Sequence, residues 1–116
     1  MTECALTERK EITAMTDDKV QDLLVVVELA IQPDQADAYA RRLTEAFAAT
    51  RAYEGFRHIE AHRNQDAPGE FLILEKWASR EHYERYIAWR RSTGTFDRLA
   101  SICVRPMTVR YFDPAP

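Results

Sequence analysis

Thiols are scarce in this sequence, and the two it has, Cys4 and Cys103, stand too far apart for a CxxC pattern. That excludes a zinc ribbon or a dithiol redox motif, and both are read as reduced thiols of a cytoplasmic protein without a metal site. No apolar run approaches the roughly 20 residues that cross a bilayer, so no membrane partner is expected. The opening stretch MTECALTERKEITAMTDD is too polar for a secretory signal, and residues 1–19 are read as a flexible arm. Basic residues are not in excess: the net charge is -3 and the pI about 5.6, which argues against a nucleic-acid partner. Arg80, Arg85, Arg90 and Arg91 do cluster, but Glu75, Glu81 and Glu84 are interleaved with them, so most of that run reads as a solvated helix surface.

The 116 residues suffice for one domain with a real core, placed over 20–113 with 114–116 as a tail. Leu23 to Ile31 is dominated by branched apolar residues and reads as a strand buried on both faces. Pro33-Asp34 opens a helix in which Ala36, Tyr39, Ala40, Leu43, Phe47 and Thr50 recur at helical spacing. Glu54-Gly55 ends it. Phe56 to Arg63 alternates with period two, placing Phe56, His58, Glu60 and His62 on one face and Arg57, Ile59, Ala61 and Arg63 on the other. Asn64 to Gly69 is a turn, and Glu70 to Trp77 a third strand with Phe71, Ile73, Glu75 and Trp77 on one side. Ser79 caps a second helix that runs to about Ser92, with Gly94 as its stop and Thr95 to Ala100 as a short helical addition. Met107 to Phe112 closes as a fourth strand.

The order βαββαβ is that of an α+β, ferredoxin-like fold: an antiparallel sheet with both helices on one face. Leu24, Val26, Leu72 and Leu74 then fall on the other face. Each contributes roughly 1.5–3 kcal/mol when buried, so a homodimer that covers them is expected.

A strand ending in E-x-W, a serine cap and an amphipathic helix stand together as Glu75-Lys76-Trp77-Ala78-Ser79, with Glu54-Gly55-Phe56 opening the second strand. In these features the chain resembles the antibiotic biosynthesis monooxygenase family, over about Leu23 to Phe112. The resemblance implies a dimeric α/β barrel, with each ligand pocket between a subunit's own sheet and helices. It also implies oxidation of phenolic polyketides or quinols to quinones with O2 as co-substrate and no metal, flavin or haem. Tyr83 matches a pocket tyrosine of relatives that act on aromatic polyketides. Tyr86 stands where many relatives carry a histidine. Ile87 stands where the haem-degrading branch has its iron ligand, and Ile73 where the polyketide oxygenases have an asparagine.

Tyr83, Tyr86 and Arg90 share one helix face at i, i+3 and i+7, and Trp77 approaches it if its strand face looks toward the helices. Such aromatic walls with a few polar groups suit a flat aromatic substrate. A phenol reacts with O2 best as its anion, which Arg90, the Trp77 N–H and the Tyr83 hydroxyl would favour. His58 or His62 is the expected base, with Glu60 and Glu75 as alternatives. Arg90 also has a surface reading, paired with Glu81 or Glu84. Trp89 lies off the stripe and is assigned to packing on a partner subunit or the C-terminal segment. A monooxygenase, a cyclase or isomerase working without O2, and a non-catalytic binding dimer are all compatible with these residues.

Overall fold

The protein's computed structural model describes residues 22–116. The expected arm over 1–19, and Cys4 with it, lies outside them. Four strands form one antiparallel sheet: β1 (Leu23–Ala30), β2 (Phe56–Arg63), β3 (Glu70–Trp77) and β4 (Thr108–Phe112), in the order β2-β3-β1-β4. Between them lie helices α1 (Ala36–Arg51), α2 (Arg80–Ser92) and the short α3 (Thr95–Ser101). This is the ferredoxin-like order that the sequence pattern predicts.

The register sets which side chains face inward. Val25 pairs with Glu75, Val27 with Ile73 and Leu29 with Phe71, so these residues share the helix-bearing face. They form the core with Leu23, Ile31, Trp77, Tyr83 and Tyr86. On the opposite face of β1 and β3, Leu24, Leu72 and Leu74 are half-buried.

Strict alternation fails at one point in β2. Phe56 pairs with Trp77 and His58 with the next residue back, Lys76, so Arg57 is the extra residue of a bulge. The bulge turns Phe56 inward. Phe56 therefore packs with Ile59 and Ala61 against the core instead of sharing the outer face of His58, Glu60 and His62. Its ring meets Trp77 at 5.7 Å, edge to face.

Helix α1 begins at Ala36 rather than at Pro33, and no side chain caps it. Helix α2 is capped as its sequence requires: Ser79 Oγ accepts from the His82 backbone N–H at 3.2 Å. Gly55, with φ of 88°, makes the turn from α1 into β2 directly against the His82 ring. Its carbonyl accepts from the Ala78 N–H, which ties that turn to the start of α2.

Candidate active site

Between the sheet, α1 and the α2–α3 unit lies a cavity of about 540 Å³. Its floor is sheet: Val27, Leu29, Ile59, Ile73 and Glu75. Helix α1 gives one wall through Tyr39, Arg42, Leu43, Phe47 and Thr50, which are spaced at three and four residues. Helix α2 gives the other through Tyr83, Tyr86, Ile87 and Arg90, and α3 closes the side with Phe96, Arg98 and Leu99. The volume suits a ligand of two or three fused rings.

Glu75 is the one carboxylate in this lining. It is 6% exposed and sits between Ile73 and Trp77 on the inward face of β3. Burial pushes its carboxyl from the usual 4.5 up to about 7, even though the Trp77 N–H and the Arg90 charge both pull it down. Trp77 Nε1 donates to Glu75 Oε1 at 2.9 Å, which aims the carboxylate and fixes one of its oxygens.

Trp77 does not line the cavity. It is fully buried behind the wall, enclosed by the rings of Tyr53, Phe56, Tyr83 and Tyr86 at centroid distances of 6.4, 5.7, 5.8 and 5.0 Å. Its place in the site is behind Glu75, as the donor that orients it.

Tyr83 lines the cavity at 3% exposure. Burial, reinforced by the nearby Glu75 charge, pushes its phenol well above the usual 10, so it stays a neutral hydroxyl. Tyr86 and Arg90 are tied together instead. Arg90 Nε donates to the Tyr86 hydroxyl at 2.9 Å, and its Nη2 reaches Thr50 Oγ1 at 3.1 Å and the Ala46 carbonyl at 2.8 Å. Tyr86 and Thr50 share a further hydrogen bond of 2.7 Å. This clamp ties the C-terminal halves of α1 and α2 together. The surface pairing considered for Arg90 is not formed; Arg80 pairs with Glu84 instead, at 3.1 Å.

His58 and His62 are not part of this constellation. Both are exposed on the opposite face of β2, where each ring nitrogen Nε2 meets one oxygen of Glu60, at 2.7 and 2.5 Å. The two histidines hold that carboxyl below the usual range. The structure therefore brings together Tyr83, Tyr86 and Arg90, with Trp77 behind them, and leaves the two histidines outside. Trp89 stacks on Tyr53 at 5.5 Å, so its packing partner is the loop after α1 rather than the C-terminal segment.

Two residues escaped the sequence reading as site residues. Tyr39 was visible there only as one of the apolar stripe on α1, and Thr50 likewise. Glu75 appeared only as an alternative base. The signal for it was its place two residues before Trp77 on a strand, which forces both side chains to the same inward face.

Among the described residues no group of three or more His, Cys, Asp or Glu is placed to hold a metal ion. No described helix is long and apolar enough to cross a membrane.

Comparison with known proteins supports the same frame. No curated protein matches the sequence. Among solved structures, one described as an antibiotic biosynthesis monooxygenase superposes with a TM-score of 0.72 at 22% identity, covering 81% of this chain and 99% of its own. A conserved protein from Methanosarcina mazei gives 0.71 at 14% identity, over 80% and 92%. A Mycobacterium tuberculosis protein gives 0.70 at 21% identity, over 82% and 96%. These likenesses are of fold. The family model described as antibiotic biosynthesis monooxygenase matches residues 22–94, more than half of the chain and all of the E-x-W strand and α2. The chain belongs to the antibiotic biosynthesis monooxygenase family.

Proposed function

We propose that this protein is a cofactor-independent monooxygenase that oxidises a phenolic polyketide or quinol to a quinone with O2, and that Glu75 is its base. The observation that carries the reading is Glu75 itself: a buried carboxyl, poised near neutrality, in the floor of an otherwise apolar cavity. A base with a pKa close to the working pH combines the right protonation state with enough proton affinity to act.

A phenol that enters the cavity gives its O–H proton to Glu75. The Tyr83 hydroxyl donates to the resulting oxyanion, and the Arg90 charge favours it. The electron-rich anion passes one electron to O2, and the substrate radical and superoxide then combine at the ring carbon para to the oxygen. The peroxide anion takes back the proton held by Glu75, and the hydroperoxide so formed loses the hydrogen on that carbon and its outer oxygen as water, leaving a carbonyl. For a phenol with a para C–H the balance is phenol plus O2 giving a quinone plus water. A quinol, whose para carbon already carries a hydroxyl, instead passes two electrons and two protons to O2 and leaves as quinone with hydrogen peroxide, O2 being the only oxidant in both. The aromatic and aliphatic walls keep the intermediates away from bulk water.

The subunit is proposed to work as a homodimer in the cytoplasm, its second copy covering the sheet face that carries Leu24, Leu72 and Leu74. Light scattering on the purified protein tests this, and L72E/L74E should release monomer.

Oxygen uptake with an anthrone or a dihydronaphthoquinone tests the chemistry. Uptake of one O2 per quinone formed, lost in Glu75→Gln, is the expected result. Conversion of such a substrate under strict anaerobiosis would instead establish a cyclase or isomerase using the same base. Absence of any conversion, with no bound aromatic, would leave a non-catalytic dimer.

A further inference from the structure

The polar groups of the cavity wall are spread along its length. Glu75 and Tyr83 belong to the end where β3 finishes, beside Trp77. Tyr39 belongs to the other end, where its ring meets Phe71 at 4.9 Å, edge to face. Phe71 and Glu75 are four positions apart on β3, which at ~3.3 Å per residue separates their Cα atoms by roughly 13 Å, and the Tyr39 hydroxyl lies near enough to Glu75 to feel its charge. Most of the remaining lining is apolar, as with Val27, Leu43 and Ile73, and the polar Thr50, Tyr86 and Arg90 are spent on one another.

Tyrosine hydroxyls that make hydrogen bonds among the described residues are those of Tyr53 and Tyr86. Those of Tyr39 and Tyr83 make none among the described residues. Cys103, which bears on the Tyr39 hydroxyl, spends its own S–H on the Leu99 carbonyl at 3.3 Å. A buried hydroxyl left without a partner costs roughly 1–3 kcal/mol. Tyr83 is buried and Tyr39 half-buried in the wall of one cavity, so their two hydroxyls are open contacts for a ligand. Burial also raises the Tyr39 phenol far above its usual range, so it remains an O–H donor.

We propose that Tyr39 is a specificity-determining residue, which hydrogen-bonds a second oxygen at the far end of a fused-ring phenol whose first oxygen sits at Glu75 and Tyr83. This rests on the phenol-site reading above and narrows it to elongated substrates oxygenated at both ends. A substrate with one oxygen would lay a C–H edge against the Tyr39 hydroxyl and leave it unpaired, and a site built around a hydroxyl rejects such analogues.

Isothermal titration calorimetry under argon with 2-naphthol and 2,6-dihydroxynaphthalene tests this on wild type and Tyr39→Phe. Wild type should prefer the diol by about fivefold, the equivalent of one net hydrogen bond. Tyr39→Phe should bind both equally and lose no affinity for 2-naphthol, which also reports that the variant is folded. A preference that persists in Tyr39→Phe overturns the assignment, as does equal binding by wild type. Binding of 2-naphthol without discrimination defeats the Tyr39 role alone. Failure of wild type to bind either probe defeats the phenol-site reading, and the Tyr39 role with it.

Discussion

Replacing Glu75 by Gln should make the protein more stable at neutral pH while removing its chemistry. Glutamine keeps the shape and an oxygen that still accepts the Trp77 N–H, but it has no proton to lose. In the unfolded chain the Glu75 carboxyl ionises near 4.5, and in the folded chain it holds its proton to about 7. Between those values the native state binds more protons than the unfolded state. Wild-type stability from this group is therefore fully present below 4.5, falls as pH rises through the window, and is flat above about 7. The rise in pKa corresponds to roughly 3 kcal/mol, the cost of desolvating the charge less what the Trp77 N–H and the Arg90 charge offset.

Urea unfolding of wild type and Glu75→Gln at a series of pH values reads this directly. At acid pH the two should be close. Toward neutrality the Gln variant should gain on wild type by up to about 3 kcal/mol, with an unchanged urea slope. Turnover should meanwhile drop by about 10²–10⁴-fold, the usual worth of a general base. A stability difference that does not change with pH, or one that favours wild type increasingly as pH rises, would refute the claim that Glu75 is buried and reluctant to ionise.

Trp77→Phe removes the donor that holds the Glu75 carboxylate down, so the acidic limb of kcat/KM should move to higher pH by about one unit, the worth of a hydrogen bond to a charge. A uniform loss at all pH values would leave the indole a packing role only. Gly55→Ala forces a Cβ to within 2.4 Å of the His82 ring at a φ of 88°, and thermal unfolding should show a loss of about 1–3 kcal/mol. Thr50→Val leaves Tyr86 and an Arg90 donor short of a partner inside the α1–α2 clamp. It should cost about 1–3 kcal/mol in urea unfolding and weaken binding of a fused-ring probe. The double variant His58→Gln/His62→Gln alters only the outer sheet face, so oxygen uptake should be unchanged within error.

The fold was legible because its signals are repetitive. The branched run of β1, the stripe on α1 and the E-x-W strand each report one periodicity over many residues. The misses fall where one residue departs from a period. Nothing in Phe56-Arg57-His58 announces a bulge, since the pairing with Trp77 and Lys76 exists only once β2 and β3 meet. That single extra residue decides that Phe56 packs against Trp77 while the histidines stay outside. The histidines fall outside the cavity for a related reason: histidine suits proton transfer by its intrinsic pKa, but position overrules intrinsic chemistry. Glu75 acquires a suitable pKa from burial, and burial belongs to the assembled core rather than to the residue.

The E-x-W element joins stability and chemistry through one piece of geometry. Residues two apart on a strand point the same way, so any strand that buries Trp77 must also bury residue 75. The indole fills the space behind the wall and brings one N–H donor into a region with few polar groups. Residue 75 is thus presented with a donor and little water, a setting in which an apolar residue would leave the N–H unpaired and a carboxylate accepts it at the expense of its own hydration. Packing alone would be served better by glutamine, which accepts the same bond without a charge to desolvate. On the proposed function, the glutamate that stands there instead, against roughly 3 kcal/mol at neutral pH, is a group whose ionisation is used.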